Sequence, residues 1–62
     1  MGNMERAMHA ALTHVDKIRM TGISARIELK IKHVKDWCYT PQIWVFKGDD
    51  DEISLVVEPE FD

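Results

Sequence analysis

Sixty-two residues carrying a formal net charge of −3 make one domain at most, and a chain this short hides only ~60% of its unfolded surface, so its core is small. With 45% apolar and 31% charged residues, the composition is that of a globular chain and excludes a disordered one. A single cysteine, Cys38, excludes an internal disulfide, and no apolar run reaches the ~20 residues that span a bilayer.

The stretch MERAMHAALTHVDKIRM predicts a helix over residues 3–20. Asn3 is placed to cap it, and Glu5 lies near the positive end of the helix dipole. Met4, Met8, Ala11, Leu12, Val15 and Ile18 recur at three- and four-residue spacings, which is one apolar stripe. Lys17 and Arg19 suit the last turn, and Gly22 follows as a stop signal.

Residues 24–33 alternate. Ala25, Ile27, Leu29 and Ile31 fall on one side; Arg26, Glu28, Lys30 and Lys32 fall on the other. Period two predicts a half-buried strand. VKDWCYTPQ reads as a connection, because Pro41 lacks an amide hydrogen and disfavours helix at Thr40. A second strand is expected over 42–47, a turn at GDDD, and a third strand over 52–58 that Pro59 stops.

The fold class that follows is α+β: an N-terminal helix on a three-stranded antiparallel meander, αβββ, as a single domain over 1–62. The second strand should be central. The helix should cover a face carrying Ile27, Leu29, Ile31, Ile53, Leu55 and Val57.

The second strand breaks the polarity pattern. Ile43 and Val45 point one way and Trp44 and Phe46 the other, so it is apolar on both faces. One helix covers only one of them. One apolar pair is therefore expected on the open face near Val56, ringed by Arg26, Lys30 and Lys32, as an exposed patch with a charged rim. Aromatic enrichment at interfaces favours Trp44 and Phe46 as that pair.

Charge is divided along the chain. Residues 1–48 sum to +4, and residues 49–62 carry seven acids and no base. Asp49, Asp50, Asp51 and Glu52 crowd one turn; Glu58, Glu60 and Asp62 follow. Such a surface steers a protein onto a basic partner.

No spacing supports chemistry. His9 and His14 lie five apart, on different faces of the helix, and His33 is alone on its strand, so no metal site is expected. GDDDE lacks the alternation and distant Glu of a calcium loop. Cys38 has no neighbouring His to activate it. No enzyme activity and no cofactor are expected.

The sequence therefore predicts a non-enzymatic protein-binding module that masks or regulates a larger protein with a basic surface. Its anchors would be Trp44 and Phe46, with Asp49, Asp50, Asp51 and Glu52 as the electrostatic contribution. A small core without disulfides also argues for a homodimer. Size and acidity place it in character with small phage-encoded and mobile-element inhibitors, although no motif carries that association. The alternative is a nucleic-acid-binding regulator using the Arg26, Lys30 and Lys32 strand face. The single cysteine fits a soluble, cytoplasmic protein with no membrane association.

Overall fold

The computed structural model describes residues 2–59. Helix α1 (Asn3–Arg19) precedes β1 (Ala25–Lys35), β2 (Cys38–Lys47) and β3 (Glu52–Val57). The strands form one antiparallel sheet in the order β1-β2-β3, so β2 is central and the αβββ meander is the observed architecture. No helix among the described residues is long and apolar enough to cross a membrane.

The cap of α1 is Gly2, in an extended conformation, and no side chain bonds there. Asn3 is already helical, which corrects the expectation that it caps the helix. The Gly2 carbonyl accepts from Arg6 N–H at 3.1 Å. At the other end the Thr21 hydroxyl donates to the Ile18 carbonyl at 2.6 Å. Gly22 then turns the chain at φ +84°, a conformation that side-chain-bearing residues rarely adopt.

The face of α1 that meets the sheet is Ala7, Ala11, Val15 and Ile18, all buried. Two alanines at its centre bring the helix close to β2, whose Ile43 and Val45 are fully enclosed. Met4 and Met8 pack at the margin of this core with Ile27, Leu55 and Val57. Leu12 falls off the contact face and stays exposed, because the closest approach is set by the small residues and not by the widest apolar arc.

Both β1 and β2 run further than expected. The ladder pairs Ala25 with Lys47 at one end and continues through Ile31–Pro41 and His33–Tyr39 to Lys35–Cys38. Only Asp36 and Trp37 separate the strands, with Asp36 at φ +45°. The stretch expected as a long connection is thus the far half of a hairpin. Pro41 is tolerated there for a specific reason. The Gly48 amide donates to the Ser24 carbonyl at 2.8 Å, and antiparallel bonding alternates, so Gly48, Phe46, Trp44 and Gln42 bond towards β1. Position 41 faces the other side, where β3 has already ended, since Val57 pairs with Ile43. No ladder bond is lost.

A bulge between Val45 and Phe46 shifts the β2–β3 register, placing Leu55 opposite Val45 but Ile53 opposite Phe46. Ile53 therefore joins the open face, not the helix face expected from simple alternation. The extra residue, Ser54, meets His14 Nε2 from α1 at 2.8 Å.

Candidate protein interface

On the open face, Trp44 and Phe46 stand between the basic row of β1 and Val56 of β3, with Trp44 paired to Val56 and Phe46 to Arg26. They are the apolar pair the helix leaves uncovered. The face is nevertheless not bare. The Arg26 guanidinium lies 4.5 Å from the Phe46 ring centroid and the Lys30 ammonium 5.5 Å from that of Trp44. The two rings are themselves 6.1 Å apart. Phe46 is left only 7% exposed, which corrects the expectation of an exposed anchor at that position. Long basic side chains keep their charge in water while their stems cover apolar surface.

Each cation of that row meets an acid. Arg26 contacts Asp51 at 2.7 Å and Glu28 at 3.1 Å, Lys30 reaches Glu28 at 3.7 Å, and Lys32 reaches Glu58 at 3.8 Å. The hydrogen bond with Asp51 is the main influence raising the Arg26 guanidinium above its ordinary value. Trp44 Nε1–H donates to Gln42 Oε1 at 3.0 Å, and Gln42 Nε2–H donates to Glu58. A polar network thus runs across the face from the indole to the end of β3.

The acidic turn is divided. Asp51 holds Arg26, and Asp49 accepts from the Ser24 hydroxyl at 3.2 Å. Asp50 and Glu52 are exposed to solvent. Asp51 sits at φ +55° beside Gly48 at φ +74°. Glu60 and Asp62 lie outside the described residues, so the second acidic cluster is represented here by Glu58 alone.

The largest exposed apolar groups lie elsewhere. A 17-residue helix is about 26 Å long, whereas the molecule extends 41 Å. The distal hairpin, residues 30–42, projects beyond the end of β3 as a two-stranded arm. It carries Ile31, Val34, Trp37 and Tyr39, with Leu29 at its base, all exposed, and Trp37 at 90%. Leu29 and Ile31 share the parity of the helix face but stay exposed on the edge strand β1, which corrects the expectation that α1 buries them. The His33 and Tyr39 rings pack tilted at 40°, with centroids 5.1 Å apart. His33 Nε2–H donates to the Asp36 carbonyl at 2.7 Å and ties the strand to its turn. Lys30, Lys32 and Lys35 against Asp36 make the arm basic.

Sequence reasoning missed this arm as a surface. The available signal was the long separation between the alternating stretch and Pro41, with Trp37 and Tyr39 inside it.

Among the described residues no cluster of His, Cys, Asp and Glu could hold a metal ion. Cys38 is exposed on the arm. A groove of about 220 Å³ between the start of α1 and the end of β3 is lined by Asn3, Arg6, Ala7, Ala10, Val57, Glu58 and Pro59. The chain matches no protein-family model, no curated protein and no solved structure.

Proposed function

We propose that the protein is a small non-enzymatic binding module that docks its β-hairpin arm into an acid-rimmed apolar groove of a larger protein, and so masks or regulates it. One observation supports this above the others: Trp37, Tyr39 and Val34 are exposed together at the end of an arm that no other element among the described residues covers. Exposed aromatics cost solvation and are concentrated at binding hot spots. Lys35 beside them matches an acidic rim. This reading moves the anchors from Trp44 and Phe46 to the arm, because Phe46 packs within the chain, and replaces the expected basic partner with an acidic one, because Asp49 and Asp51 of the acidic turn are engaged by Ser24 and Arg26. Asp50 and Glu52 at the opposite end act at long range, opposing approach of that end to the same acidic surface.

Photocrosslinking from position 37 in the native host tests it. A benzophenone amino acid at Trp37 should give a discrete adduct heavier than two copies of the chain, while the same group at Thr13 on α1 gives none. Equal labelling from both positions, or adducts containing only this chain, would end the proposal.

A further inference from the structure

We infer that two copies of the chain pair antiparallel along their β1 edges, about a two-fold axis through Leu29, to give a six-stranded sheet with both helices on one face.

The backbone decides which groups are available. Since the Gly48 amide bonds the Ser24 carbonyl, alternation directs Arg26, Glu28, Lys30 and Lys32 towards β2. Ala25, Ile27, Leu29 and Ile31 turn their N–H and C=O groups to the free edge. Arg19 confirms this parity, because its guanidinium donates to the Ala25 carbonyl at 2.8 Å from outside the sheet. That bond also closes the edge at its start. From Ile27 onward the edge is open, long and aliphatic, with Leu29 at 62% and Ile31 at 75% exposure. An edge of this kind is a template for another strand.

Charge selects the register. With the axis through Leu29, Ile27 of one copy faces Ile31 of the other. Glu28 of each copy then faces Lys30 of the other, giving two reciprocal opposite-charge pairs. Arg26 faces Lys32, but each of those cations already has an acid of its own in Asp51 and Glu58, while the Glu28–Lys30 contact within one chain, at 3.7 Å, is shared with the equivalent contact across the seam. An axis through Ile31 sets Lys30 against Lys32. Axes through Glu28 or Lys30 set like charges directly opposite. An axis through Ile27 matches charges but places Leu29 against Ala25, whose carbonyl Arg19 holds.

The helix supplies the remaining contact. At 100° per residue Leu12 lies about 20° from Arg19 around the helix, and Arg19 reaches β1, so exposed Leu12 overhangs the same edge. Helices above β2 of each copy would sit about 14 Å apart, three strand spacings. That exceeds direct helix contact of 8–10 Å. Leu12, Met8, Leu29 and Ile31 from both copies fill the gap. About six backbone hydrogen bonds form between residues 27 and 31. The arm tips remain outside the seam, so this pairing does not depend on the arm's partner.

Sedimentation velocity up to about 100 µM should show a dimer. Glu28→Lys or Lys30→Glu alone should weaken it about tenfold, as two attractive pairs become repulsive. The double exchange Glu28→Lys/Lys30→Glu should restore it. Far-UV circular dichroism checks that these exposed changes leave the fold intact. Facing residues of a bonded pair lie about 5.5 Å apart, within disulfide reach. Oxidised Cys38→Ser/Leu29→Cys protein should therefore cross-link to itself. In the same Cys38→Ser background, Ile27→Cys and Ile31→Cys should link only when mixed. A wild-type monomer at about 100 µM, a dimer indifferent to the charge exchange, or self-linking at Ile27 as efficient as at Leu29 would overturn the inference.

Discussion

The guanidinium of Arg26 lies over Phe46, 4.5 Å from its ring centre, while holding Asp51 at 2.7 Å. One side chain thus shields an aromatic ring on the uncovered side of the sheet and anchors the acidic turn. Among the described residues the open face is finished by charged side chains, not by a second layer of structure.

Removing that shield separates packing from binding. Arg26→Ala should lower the unfolding midpoint slightly, from the lost cation–π contact and an exposed ion pair. Phe46→Ala should lose more, about 3 kcal/mol, because the ring is buried. Urea unfolding followed by tryptophan fluorescence measures both. If Phe46→Ala leaves the midpoint unchanged, the ring is not part of the core.

Core and arm should respond oppositely to truncation. Val45→Ala and Ile43→Ala remove fully enclosed groups and should each cost about 2–4 kcal/mol, a large part of the few kcal/mol that hold a domain this small. Trp37→Ala should change stability by less than about 0.5 kcal/mol, while abolishing the adduct from a crosslinker placed at Tyr39. A destabilising Trp37→Ala would assign the indole to folding.

Gly48 tests the turn alone. An added Cβ there meets nothing within 4 Å, but φ is +74°. Gly48→Ala should therefore cost about 1 kcal/mol through backbone strain only, and Gly48→Asn should recover part of it. Thermal unfolding of the pair checks this; an unchanged Gly48→Ala midpoint would contradict the turn geometry.

The basic strand face can be challenged directly. With Arg26, Lys30 and Lys32 each beside a carboxylate, a phosphate must displace an internal partner. Fluorescence anisotropy with a single-stranded oligonucleotide should show weak binding with a shallow salt dependence. Tight binding that falls steeply with salt, and that Lys30→Ala or Lys32→Ala reduces, would restore the nucleic-acid reading.

The helix and the alternation of β1 were legible because they follow from period alone: Ala11, Val15 and Ile18 on one, Ile27 and Leu29 on the other. The outcome at Leu29 and Ile31 was not, since alternation states which side a residue faces and nothing about how far the opposing helix reaches. The arm was hidden by a turn without glycine, in which Asp36 takes the positive φ, and by Pro41, which reads as a strand breaker until the adjacent strand is known to have stopped. Ile53 changed sides through one inserted residue, Ser54, that no composition rule marks. The burial of Phe46 was obscured because a sequence displays Arg26 as a charge and conceals its hydrocarbon stem.

Pro41 also governs how far assembly can grow. A two-stranded projection offers two edges, and a chain sticky on both would add copies indefinitely into a fibre. Here the outer edge of β2 is missing its donor at Pro41, while β3 is bent by the bulge at Ser54 and flanked by Glu52 and Glu58. In the inferred pairing, growth is left with the β1 side alone, and a molecule with one adhesive edge closes after a single addition. In that pairing, the same proline that made the segment look unlike a strand leaves the second edge of the arm without a donor for further copies.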